Sequence, residues 1–172
     1  MKIKNDFTVM EMMIFFWDSV SEREKVSDEY FDSIAERPEM KVLYNDEFSK
    51  RSVSKVLSAI SNRERLNDRT KLESRFWNNN MRLLEDPLMR QALISPIKQL
   101  SFEALEQKYA LDGQLTCIFI PGHTDEYYKD GNTVYINFFN LFNDFENPEK
   151  VMMDGRPFME RISEIIELCI ST

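Results

Sequence analysis

The sequence predicts an α+β protein: a helical N-terminal half packed on a small, mostly antiparallel sheet and closed by a C-terminal helix. Three observations carry this. Apolar residues recur at helical spacing through residues 1–110; after Asp112-Gly113 the pattern becomes that of strands; and helical spacing returns in Phe158, Ile162, Ile165, Ile166 and Cys169. Helices segregated from strands favour α+β over an alternating α/β arrangement. A length of 172 residues fits one domain, 1–172, with a helical part at 1–110 and a strand–hairpin–strand part plus helix at 111–172.

The first helix is written in FTVMEMMIFFWDSV, where Val9, Met12, Met13, Phe16 and Val20 share a face behind a Thr8 cap. Met10, Ile14, Phe15 and Trp17 spread its apolar surface beyond one stripe. Such a helix is central in the core or shared with a partner. A second helix starts at Ser27 and should end or kink near Arg37, because Pro38 disfavours helical geometry in the residue before it. Val53, Val56, Leu57 and Ile60 form a single stripe, leaving Lys50, Arg51, Lys55 and Arg63 to solvent. TKLESRFWNNNMRLLE (70–85) continues the helical pattern through Leu72, Phe76, Leu83 and Leu84, with Asn80 where an apolar residue belongs. Asp86-Pro87 opens a short helix that Ser95-Pro96 should break, and SFEALEQKYA supplies one more from Ser101.

QLTCIFIP then reads as a strand covered on both faces, with Leu115, Cys117 and Phe119 on one side and Ile118 and Ile120 on the other. EYYKDGNTVYINF predicts a hairpin turning at Asp130-Gly131-Asn132. KVMMDG adds a short edge strand, and Gly155-Arg156-Pro157 launches the last helix.

Composition narrows the function. No stretch approaches the length of a membrane span; the densest apolar run is Met12–Trp17. Two cysteines, Cys117 and Cys169, sit inside apolar patterns, as core thiols of a reducing compartment do, so a cytoplasmic location is expected. Neither a G-x-x-x-x-G-K-[ST] nor a G-x-G-x-x-G motif occurs, and no cofactor is expected. Acids outnumber bases 12 to 6 in residues 1–49 and 11 to 4 in 111–172, whereas bases lead 12 to 7 in 50–110. The net charge is −8. Such a chain satisfies itself by folding its ends over its middle, or it turns its middle to an anion and its ends to a cationic partner.

The only histidine, His123, lies in PGHTDEYY and excludes a two-histidine zinc motif. With Asp125 and Glu126 it would make an acid–base or mixed-ligand metal site; the plainer reading is a polar turn after a strand. Asp154 joins these two acids as a carboxylate near a strand end. The stretch ESRFWNNNMR is the stronger recognition candidate: Arg75 and Arg82 flank Phe76 and Trp77, and Asn78, Asn79 and Asn80 are costly inside a helix. Phe15 and Trp17 on the first helix are the second, as a surface for a homodimer.

A small acidic cytoplasmic interaction or regulatory module without catalysis, with a protein partner, is the first expectation from these residues. An inhibitor or decoy for a cationic partner is its variant. A metal- or acid/base-assisted hydrolase using His123, Asp125 and Glu126 comes second. Nucleic-acid binding through the basic 50–90 segment comes last, since a pI near 4.8 opposes it.

Overall fold

The structure, a computed structural model, describes residues 1–110 and 112–171; Leu111 and Thr172, the ends of the 111–172 part, lie outside the described residues. Among the described residues seven α-helices and two sheets make it an α+β fold, and the last helix follows the strands. None of these helices is long and apolar enough to cross a membrane. The chain divides into two compact units. A helical unit takes Thr8–Pro87 with Pro121–His123, and a sheet unit takes Met1–Phe7, Leu88–Ile120 and the stretch from Thr124 onward.

In the helical unit α1 (Thr8–Ser21), α2 (Asp28–Ala35), α3 (Lys50–Asn62) and α4 (Lys71–Glu85) follow one another, with a 3-10 turn at Pro38–Leu43. Ser27 caps α2 by accepting from the Tyr30 amide, and Glu36 ends the helix just before Arg37-Pro38. α3 packs on both α2 and α4, and α1 packs on α4. The expected stripe of α3 is buried in full, together with Ser52 and Ala59. Of the α1 residues, Val9, Met10, Met13, Phe16, Trp17 and Val20 are in the core and Met12 is half-buried.

The sheet unit holds four strands in the order β1-β2-β4-β3: β1 (Lys2–Asp6), β2 (Gln114–Ile120), β3 (Tyr127–Asp130) and β4 (Thr133–Asn137). β5 (Leu141–Asn143), β6 (Val151–Met153) and β7 (Arg156–Pro157) form a smaller sheet. Antiparallel pairs are three of the five among the described residues, but β1–β2 and β2–β4 are parallel. The hairpin turns where expected, with Gly131 at φ 58°. β6 lies between β5 and β7 in its sheet, and not at the edge.

β1 was not foreseen. Its Ile3 backbone amide donates to the Glu106 carboxylate (2.8 Å) and its Asn5 side-chain carboxamide to the Leu100 carbonyl (3.0 Å), so α6 (Glu103–Lys108) and its preceding turn anchor a strand too charged to declare itself. Pro96 does not break α5 (Pro87–Lys98) but sits inside its last turn. The residue four back, Ala92, whose carbonyl loses a helical bond to proline, lines an open cleft. α7 (Phe158–Ser171) packs on β4, β6 and β7 through the five residues its spacing nominated.

Candidate functional site

The connection from α3 to α4, residues 63–70, is pinned at every stage. Arg63 closes α3 in the left-handed region at φ 56°, and Asp68 adopts φ 48°. The Lys55 ammonium donates to the Asp68 carbonyl (2.8 Å) and to the Glu73 carboxylate (3.2 Å). Thr70 and Glu73 form a capping box that starts α4, and the Thr70 hydroxyl also donates to the Glu47 carbonyl (2.7 Å). Arg69 donates to the Leu66 carbonyl (2.7 Å) and to the Ser74 hydroxyl (2.9 Å), which clamps the connection to the first turns of α4.

Glu73 is the keystone, only 6% exposed. Burial by itself would raise its carboxyl, but hydrogen bonds from Thr70, Ser52 and Lys55, with the Lys55 charge, outweigh burial and hold it below its ordinary value. A lowered carboxyl stabilises the fold fully above the unfolded value, ~4.3, and loses that contribution as pH falls through the folded one. Glu73→Ala should therefore cost about 1–2 kcal/mol at neutral pH. Urea midpoints of variant and wild type should converge on acidification; a deficit that stays constant below pH ~4 would contradict this assignment.

The fixed connection leaves a cleft of about 440 Å³ against α4, with Arg65, Asn67, Arg69 and buried Leu66 on one wall and Ser74, Trp77 and Asn78 on the other. Among the described residues no carboxylate lines it. Arg65, Asn67 and Asn78 are exposed, and Trp77 is half-buried. Trp77 also borders a second cleft of about 510 Å³, whose lining includes Ile60, Met81 and Leu84 together with Arg23, Arg63 and Glu64.

The recognition stretch thus splits. Trp77 and Asn78 face the cleft; Phe76 is core; Arg75 is exposed away from the cleft lining; Asn79 is half-buried outside it; and Arg82 is half-buried, its guanidinium lowered by that burial. Asn80 is fully buried, accepting from the Trp17 indole N–H (2.9 Å) and donating to the Phe76 carbonyl (2.8 Å). Trp17 is itself 0% exposed, so of the two first-helix candidates Phe15 alone, 54% exposed beside the Tyr30 ring, presents its side chain to the surface. Arg65 and Arg69 escaped the sequence reading. Their signal was the charged linker NRERLNDR, which composition alone marks only as a loop.

The His123 group is engaged elsewhere. His123 is 8% exposed, donates from Nε2 to the Leu43 carbonyl (2.9 Å) and meets the Phe48 ring edge-on at 4.6 Å. Glu126 forms a two-pronged ion pair with Arg161 of α7 (2.8 and 3.0 Å). Asp125 is exposed, and its backbone carbonyl accepts from Asn137 (3.0 Å). Asp154, at φ 54°, serves the turn between β6 and β7. Among the described residues no three His, Cys, Asp or Glu side chains are grouped to hold a metal. The Cys117 thiol is raised far above its usual value by burial, and near Cys169, so it is no ready thiolate.

Neither a family model, a curated protein nor a solved structure matches this chain significantly.

Proposed function

We propose that the protein is a non-catalytic, cytoplasmic interaction module whose helical unit grips an acidic, aromatic-bearing segment of a protein partner in the cleft beside Trp77. One observation carries the reading: a single cleft of about 440 Å³ collects an indole, two arginines and two exposed carboxamides with no acid in its lining. Each has a matching chemistry. Guanidinium groups take carboxylates in paired hydrogen bonds, and Arg69 is already held by Leu66 and Ser74, so little freedom is lost on binding. Carboxamides suit the N–H and C=O groups of a peptide backbone. Tryptophan in a half-covered pocket is the side chain that most often dominates binding energy.

A nucleic-acid strand is the weaker match. Its affinity comes from several phosphates neutralised at once, while this cleft offers two cations in a chain of net charge −8. The hydrolase alternative loses support because the His123 Nε2 is bonded to the Leu43 carbonyl and the Glu126 carboxylate to Arg161. Among the described residues Cys117 and Cys169 are buried and form no disulfide, which supports the reducing compartment.

Intrinsic fluorescence tests this directly, because the two tryptophans are Trp17 in the core and Trp77 at the cleft. An acidic peptide with one phenylalanine should perturb the Trp77 signal saturably. Arg65→Glu, followed by Trp77 fluorescence, and Trp77→Ala, followed by calorimetric titration because it lacks the reporter, should each weaken that binding by more than about tenfold while leaving the urea midpoint near wild type. Tight, steeply salt-dependent binding of a single-stranded oligonucleotide instead, or no response to either ligand, overturns the reading.

A further inference from the structure

The loop between β5 and β6, residues 144–150, is tied by its own hydrogen bonds. The Asp144 amide donates to the Lys150 carbonyl (2.8 Å) and the Lys150 amide to the Asn147 carbonyl (2.9 Å). The Asp144 carboxylate accepts from the Asn147 amide (3.2 Å), and the Asn143 carboxamide donates to the Pro148 carbonyl (2.7 Å). On this fixed frame Phe145 is 101% exposed, the most exposed large apolar side chain among the described residues. Asp144 precedes it, and Glu146 and Glu149 follow. An apolar ring in water normally folds back onto its own surface or lies on a partner. A loop whose bonds hold it outward has already met the ordering cost of presenting it.

Acid, phenylalanine, acid is the chemistry that the Trp77 cleft is built to take. We infer that Phe145 of one copy inserts into the cleft of a second copy, with the Asp144 and Glu146 carboxylates against Arg65 and Arg69. This rests on the reading of the cleft as a recognition site. The second copy is the occupant favoured by charge: the loop carries three acids against the single Lys150, and the cleft lining carries two arginines and no acid. A loop on one surface and a cleft on another make a head-to-tail contact, so association runs to a ring or to a growing chain rather than halting by necessity at a two-fold dimer.

Sedimentation velocity over a concentration series tests the pairing on the full chain. Wild type should rise above its 20.5 kDa monomer mass with concentration, and added salt should move the midpoint higher. Phe145→Asp should shift that midpoint by more than about tenfold, since Phe145 is exposed and its loss leaves the fold intact. Arg65→Glu and Glu146→Arg should each behave as monomers alone, and their mixture should restore a complex. A monomer at every concentration, association that survives Phe145→Asp, a mixture that stays monomeric, or loss of association in Phe15→Asp would each overturn the inference, the last by assigning it to the first helix. If wild type stays monomeric while the acidic peptide still perturbs Trp77, only the self-pairing falls. If both responses are absent, the cleft reading falls with it.

Discussion

Trp17→Ala should destabilise the helical unit by about 3–5 kcal/mol. The side chain is 0% exposed, so truncation removes a bicyclic ring from a packed interior and leaves a cavity. It also strands the Asn80 carboxamide oxygen, which the indole N–H serves at 2.9 Å. The two contributions separate in a cycle. Asn80→Leu keeps the ring but leaves its buried N–H without the Asn80 acceptor, at a cost of about 1–3 kcal/mol. Trp17→Phe with Asn80→Leu removes donor and acceptor together and should cost less than the sum of the single changes. Urea unfolding followed by Trp77 fluorescence reports the helical unit in the Trp17 variants. A Trp17→Ala cost below ~1 kcal/mol would mean that the indole is not a core anchor.

Asn80 also shows how far the sequence could be read. An asparagine in the apolar register of α4 is visible as an anomaly, and a hydrogen-bond partner inside the protein is the expected remedy. Its partner is 63 residues away, beyond anything local periodicity reports. The same line runs through the fold. The stripe of α3 and the five buried residues of α7 are local patterns, so they appear in the structure as expected. β1 is a local pattern of charge, KIKND, and becomes a strand only because Gln114–Ile118 accepts it in parallel register. The parallel β2–β4 pair is equally non-local: the hairpin between β3 and β4 was legible, but not which of its strands would lie against β2.

The site follows that pattern. Trp77 and Asn78 were visible because aromatic and amide residues stand out on a helix. Arg65 and Arg69 were not, because a linker's path is set by what holds it. Here that is Lys55 on the Asp68 carbonyl and the Arg69 clamp on Ser74, neither of which has a sequence signature. His123 is the converse case, a residue conspicuous by chemistry that the fold spends on packing.

That expenditure is measurable at Phe48. Its ring is 1% exposed and meets Phe76 edge-on at 5.2 Å and His123 edge-on at 4.6 Å, with Tyr44 stacked at 6.2 Å. Phe48→Ala should cost about 3–5 kcal/mol, because it empties the centre of an aromatic cluster. His123→Ala removes one ring contact and leaves the Leu43 carbonyl without its donor, so about 1–3 kcal/mol is expected. His123→Gln, which keeps an N–H at similar reach, should recover part of that. The Phe48–His123 double change should show a coupling of ~0.5–1.5 kcal/mol, the range for edge-on aromatic pairs. A catalytic histidine gives the opposite signature, with its removal near-neutral or stabilising, because functional sites hold polar groups in places that packing alone would not choose. Urea midpoints of the four proteins in the cycle decide between them: a coupling near zero with unchanged stability in His123→Ala would return the imidazole to the list of reactive groups, and a positive coupling leaves it a strut under Phe48.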